Sequence, residues 1–159
     1  MVSKDRILEL FEVDIKNGIL IRKKWRGKGK RAGYISSNGY RVLNIDRKDY
    51  FEHNVLWFVI TGKWPELYVN EIDHINGVKD DNRFENLRLA TRSQNLVNRV
   101  LSNNTSGCAN VQYDPRRRKY AVNMSINKKR KFLGRFDTFE EAVKVANETR
   151  SLVYGEFSR

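Results

Sequence analysis

The stretch Glu71-Ile72-Asp73-His74-Ile75-Asn76-Gly77, running on through Asp81-Asn82-Arg83 and Glu85-Asn86-Leu87-Arg88-Leu89-Ala90 to Thr91 and Asn95, decides how this chain is read. Its alternation predicts two short strands, Glu71–His74 and Leu87–Ala90, separated by a polar loop from Asn76 to Glu85. A helix is expected next, with Thr91 as N-cap and Gln94 three positions on completing a capping box. Hydrolysis of a phosphodiester needs a base for the water and a cation for the phosphate, and Asp73-His74 offers both kinds of group. Successive strand residues face opposite ways, so both can serve one site only where the strand twists or its end bends. Asn95, in the second turn of the expected helix, could bring an amide oxygen to a cation held by Asp73, and Asn98 one turn on is the alternative. Two oxygen ligands, with waters and a phosphate oxygen, suit one Mg2+ or Mn2+ per site better than zinc. An isolated Asp-His pair is more often an ordinary hydrogen-bonded pair than a catalytic one, so the spaced asparagines carry the weight. Asn82 and Asn86 could equally cap the loop through their own backbone, and for Asn82 that reading is preferred.

Charge places this stretch between two basic segments. The 159 residues carry 31 Lys and Arg against 19 Asp and Glu, a net charge of +12, which points to a polyanionic partner. Residues 1–50 hold 13 basic and 6 acidic side chains, residues 51–100 hold 6 and 7, and residues 101–159 hold 12 and 6. A protein that merely coats a polyanion has little reason to interrupt its positive charge, whereas a metal-dependent nuclease needs carboxylates where its cation sits. One cysteine, Cys108, leaves no partner for an intramolecular disulfide, and with two histidines it cannot build an ordinary Cys/His zinc site. With no signal-peptide layout and no apolar run of membrane-spanning length, a soluble, cytoplasmic protein without a membrane partner is expected.

Upstream, residues 6–12 are expected to form a helix and residues 19–25 a strand leading into the basic loop. A hairpin of residues 32–36 and 40–46 should turn at Ser37-Asn38-Gly39, and residues 51–60 suit a helix ended by Thr61-Gly62. Arg22, Lys23, Lys24, Trp25 and Arg26, with Lys28, Lys30 and Arg31, form a candidate DNA-backbone contact. His53 is read as a packed or backbone-contacting residue rather than a second base. Downstream, residues 102–107 contain no apolar side chain and mark the expected domain boundary. Strands at 111–113, 120–126 and 131–136 precede a helix capped by Thr138 and Glu141 that runs to about Val153. Its inward stripe should comprise Phe139, Ala142, Val143, Ala146, Thr149 and Val153, and the middle strand should turn Ala121, Asn123 and Ser125 away from it.

At Glu71 to Asn95 the chain resembles the HNH, or β-β-α-metal, nucleases, particularly phage homing endonucleases in which the last histidine is replaced by asparagine. The resemblance reaches upstream to about Leu10, through the His53 to Trp57 helix and Gly62-Lys63-Trp64-Pro65, with Asn54 where members often carry arginine. It implies that Asp73 and Asn95 bind metal, that His74 is the general base, and that Asn86 braces the loop so that the base points correctly. A base must be neutral, so activity should fall as pH drops through the histidine pKa, about 6.5 for an ordinary imidazole.

From Asn103 to Arg159 the chain resembles the APETALA2-type DNA-binding domain. Asn104-Thr105-Ser106-Gly107, Leu133-Gly134-Arg135-Phe136, Thr138-Phe139-Glu140-Glu141-Ala142 and Tyr154-Gly155-Glu156-Phe157 carry that likeness. It implies a three-stranded sheet in the major groove, with Gln112, Asn123, Ser125, Arg130 and Phe132 facing bases or sugars. Arg116, Arg117, Arg118, Lys128 and Lys129 would then reach phosphates from the turns. Asn110 stands where the family has glycine and Tyr120 where tryptophan is common, and several base-reading arginines are missing.

The combined expectation is an α+β chain. Residues 1–101 form an HNH nuclease domain with a basic β-rich arm and a β-β-α-metal core. Residues 102–159 form a reader, a three-stranded antiparallel sheet packed on one helix. Its partner is double-stranded DNA, bound as a monomer, in a bacterial host cell if phage-encoded. The rival reading is a non-catalytic DNA-binding regulator with a degenerate core.

Overall fold

Ser3 begins the first element, its hydroxyl accepting the Arg6 N–H at 3.2 Å to cap helix α1, Lys4–Leu10. The computed structural model describes residues 1–24, 27–66, 69–96, 104, 106–126 and 129–158. The helix ends earlier than the expected residue 12. Phe11 and Val13 instead join strand β1, Phe11–Asp14, which pairs antiparallel with β2, Ile19–Arg22. That pairing buries Phe11 and Leu20 together, which a continued helix would not do. Trp25 and Arg26 lie outside the described residues.

The expected hairpin is present as β3, Tyr34–Ile35, and β4, Arg41–Ile45, with Gly39 at φ +83° in its turn. A strand not foreseen, β5, Lys48–Phe51, completes a sheet ordered β3-β4-β5. Its turn places Asp46 and Arg47 at φ +49° and +64°, a conformation usually left to Asn or Gly. Arg6 grips the Asp46 carboxylate at 2.7 and 3.1 Å. Helix α2, Glu52–Thr61, follows directly and closes on Gly62 in the left-handed conformation. Ile7, Leu10, Phe11, Leu20, Leu43, Ile45, Val55, Leu56 and Val59 form one buried cluster between these elements. Each fully buried aliphatic of this size contributes about 1.5–3 kcal/mol.

Strands β6, Glu71–His74, and β7, Leu87–Ala90, form an antiparallel pair with Asp73 opposite Arg88 and His74 opposite Leu87. A 3-10 turn at Phe84–Asn86 leads into β7, and helix α3, Arg92–Leu96, follows it. The chain divides into two compact units, Met1–Arg92 and Ser93–Arg159, so the division falls inside α3.

The second unit contains β8, Val111–Asp114, β9, Lys119–Ile126, and β10, Lys129–Phe136, in the order β10-β9-β8. Helix α4, Phe139–Tyr154, starts at a complete capping box between Thr138 and Glu141. Val111, Val122, Ala142 and Ala146 form the centre of its core. Val153, expected to face inward, is 39% exposed in the last turn, and Arg150 is the buried residue there, donating to Asn147. Among the described residues the architecture is thus mixed α and β, with four α-helices and four small antiparallel sheets. No described helix is long and apolar enough to cross a membrane.

Candidate active site

Asp73 and His74 close strand β6, and the chain turns immediately afterwards, Gly77 N–H donating to the His74 carbonyl at 2.9 Å. Ile72, Asp73 and His74 are all buried, so both faces of this strand end are covered. Asp73 is only 6% exposed, and its Oδ2 accepts from Arg88 Nε at 3.0 Å and Nη2 at 2.8 Å. The arginine comes from the directly opposite position on β7, which places the two charges by strand register.

His74 enters a buried polar chain that begins on another element. Its Nε2 lies 2.8 Å from Asn82 Oδ1, and Asn82 Nδ2 donates to Glu52 Oε2 at 2.9 Å. Glu52, in the first turn of α2, is fully buried, and Asn82 is 1% exposed. Glu52 also accepts the Leu20 N–H at 3.0 Å and the Arg31 guanidinium at 2.6 Å. Arg31 and Arg41 both bind Asp80, so four charged side chains form one network that reaches the asparagine amide through Glu52. The loop-cap reading of Asn82 is thereby replaced: its side chain joins α2 to β6, residues too distant in sequence for a local pattern to show.

Asn86 shapes the loop between the strands. Its Oδ1 accepts the Asn76 N–H at 2.9 Å, and its Nδ2 donates to Asn76 Oδ1 at 3.0 Å and to the Asp81 carbonyl at 2.7 Å. Its own carbonyl accepts the Ile75 N–H, one residue past the histidine. Arg83 donates to Asp81 and holds that carboxyl far below the usual carboxylate range.

His53 packs against the same imidazole. Its ring stacks on Phe51 with centroids 5.3 Å apart, meets Tyr40 edge-on at 5.3 Å, and meets His74 edge-on at 5.1 Å. Burial first, and then the charge of His74, push His53 down to about 3, so it stays neutral. Its Nδ1 has no hydrogen-bond partner among the described residues.

The candidate DNA contacts are distributed over both units. In the basic arm Lys23 donates to the Leu8 carbonyl, Lys24 pairs with Glu9, and Lys28 and Lys30 are exposed. Arg22 is half-buried, and Arg31 is turned inward to Glu52 and Asp80. In the second unit Ser125 lies opposite Arg130 and Asn123 opposite Phe132, with Ala121 opposite Gln112, all on the sheet face away from Val111 and Val122. Phe132 is 54% exposed, and Arg135, which sequence reasoning passed over, lies 4.9 Å over its ring. Arg116, Arg117, Arg118 and Lys129 are exposed, Arg117 pairing with Asp114. Lys128 and the alternative ligand Asn98 lie outside the described residues.

A divalent cation fits the chemistry of the donors available. Asp73 offers a buried carboxylate, here paired with Arg88, and carboxylate and amide oxygens are hard donors of the kind Mg2+ or Mn2+ selects. Asn95 lies in α3, beyond the division between the units. Among the described residues no three His, Cys, Asp or Glu side chains gather as a metal cage.

Residues 50–97 match the family model described as HNH endonuclease. An uncharacterized HNH endonuclease of Acanthamoeba polyphaga mimivirus is 29% identical over 136 residues, spanning 85% of this chain and 69% of that protein. No solved structure matches. The matched residues 50–97 contain Glu52, His53, both strands of the β6–β7 pair and Asn95, so the candidate site lies within the stretch that is similar to HNH endonucleases.

Proposed function

We propose that this chain is a site-specific, homing-type endonuclease that hydrolyses a phosphodiester bond of duplex DNA, acting as a monomer through one divalent metal. The observation that carries the reading is the buried hydrogen-bonded placement of the His74 imidazole beside Asp73 at the end of β6. His74, held by Asn82 and neutral, accepts a proton from the attacking water. Asn86, through its bonds to Asn76 and Asp81, keeps the loop closed behind that ring. Asp73 is the carboxylate ligand for Mg2+ or Mn2+, and Asn95 is the amide ligand implied by family resemblance. When bound, the ion supplies charge neutralisation at the phosphate and at the departing 3′ oxygen.

In this reading residues 1–101 cut and residues 102–159 select the target. The outward face carrying Gln112, Asn123, Ser125, Arg130 and Phe132 reads bases or sugars, and the arm and turns hold phosphates. Plasmid DNA carrying the target, incubated with Mg2+, should be cut by the wild type and not by His74→Ala, and chelation should stop the wild type. Absence of metal-dependent cutting by the wild type on its own target sinks the enzyme reading. One observation favours a second reading, a DNA-binding regulator with a silent core: Arg88 already occupies the Asp73 carboxylate. Specific duplex binding without cleavage would select it.

A further inference from the structure

We propose that Glu52 is a positioning residue that acts through Asn82 to fix His74 in the Nε2–H tautomer, so that Nδ1 is the nitrogen that accepts the water proton. The inference rests on His74 being the base and adds which atom does the work. It starts from an ambiguity of asparagine: its amide can be turned end for end, presenting either an acceptor or a donor to His74. A carboxylate removes that freedom, because its oxygens only accept. Glu52 Oε2 sits 2.9 Å from Asn82 Nδ2. Turning the amide would set two acceptors against each other in a site where Asn82 and Glu52 are excluded from water. Oδ1 must therefore face His74, and at 2.8 Å it requires a hydrogen on Nε2. In a neutral imidazole the lone pair is then on Nδ1.

The remaining contacts hold Glu52 itself in place. Its Oε1 is fixed by the Leu20 N–H of β2, and Arg31 approaches Oε2 at 2.6 Å, with Arg41 Nε 3.7 Å away. Both cations thus approach the carboxylate on its Oε2 side, in a buried setting where such pairs need good geometry. Asn82 is held from its backbone side by the Gly18 turn, where a Cβ on Gly18 would come within 2.2 Å of the Asn82 carbonyl carbon. If Glu52 served only as a core anchor for Leu20 and Arg31, it would have no need to choose the orientation of the amide that touches the base.

The test uses the full chain labelled with 15N, whose two histidines give a simple ring spectrum. At about pH 8.5, where an ordinary imidazole is neutral, wild-type His74 should show a protonated Nε2 and an unprotonated Nδ1, with His74→Ala supplying the assignment. An Nδ1–H tautomer in the wild type overturns the proposal. In Glu52→Gln the amide can turn, so the His74 signal should move toward Nδ1–H. Its kcat should fall about 100-fold or more with KM for DNA nearly unchanged. An unchanged tautomer in a folded Glu52→Gln protein also overturns it.

The double variant Glu52→Gln with Asn82→Asp places an acceptor-only group against His74 and conserves the net charge of the buried cluster. It should restore the Nε2–H signal and bring kcat back to within about tenfold of wild type. If Glu52→Gln does not fold, this pair is read alone, and an Nδ1–H signal or a folded but inactive protein rejects the proposal. Loss of all wild-type cleavage with a correct tautomer would count against the nuclease reading, whereas a wrong tautomer with cleavage intact counts against this inference.

Discussion

His53 shows how one residue can be legible in type and not in role. As a histidine near a helix start it could be ligand, base or packing, and the structure makes it a neutral ring enclosed by Phe51, Tyr40 and His74. Its depressed pKa has a defined consequence for stability. In the unfolded chain the ring takes up a proton as pH falls through about 6.5, while in the fold it stays neutral down to about 3. The unfolded state therefore binds more protons in that window, and stability falls as pH is lowered, by about 1.4 kcal/mol per unit from this group. His53→Phe, which keeps an aromatic ring in the cage, should flatten that dependence when urea unfolding is compared between about pH 6 and pH 4. An equally steep slope in the variant would show that the ring is charged in the fold. The Asp73-His74 pair stood out as a candidate site because asparagines such as Asn86 follow it at short spacings. Glu52 did not, because it stands among ordinary helix residues and its partners are 30 and 32 positions away.

At the level of elements, the turn before β2 connects the fold to the site. Gly18 has φ +64°, and a Cβ there would lie 2.2 Å from Arg83 N and from the carbonyl carbon of Asn82. Gly18→Ala should therefore cost about 3 kcal/mol or more, and at temperatures where it remains folded it should cut DNA poorly because Asn82 has been displaced. Gly62→Ala is the control. It shares the left-handed backbone, but nothing lies within 4 Å of its Cβ, so stability should fall by about 1 kcal/mol with cleavage retained. Thermal unfolding and plasmid cutting measured on both variants separate strain from displacement. Elements announced by strong punctuation were readable: the Asn38-Gly39 hairpin, the Gly62 stop and the Thr138 cap. Strand β5 was not, since its turn is Asp46-Arg47, held by an arginine 40 residues earlier.

For the whole molecule, the separation of positive charge from the site gives the clearest measurable consequence. Binding through Lys and Arg on phosphates releases counterions, and affinity falls with salt by a slope of about 0.9 per phosphate neutralised on duplex DNA. Removing Arg116 and Lys129 together by alanine should lower that slope by about 2 and weaken target and non-target DNA alike. Asn123→Ala should leave the slope intact and reduce only the preference for the target. A change in the slope with Asn123→Ala would move it from base reading to backbone holding. The division of the chain also has an optical side. All three tryptophans, Trp25, Trp57 and Trp64, precede Ser93, and Trp64 stacks on Phe58 with ring centroids 4.6 Å apart. Intrinsic indole emission is therefore a built-in reporter of the first unit alone, while far-ultraviolet dichroism sums both, so the two signals together resolve which half of the chain a substitution has loosened.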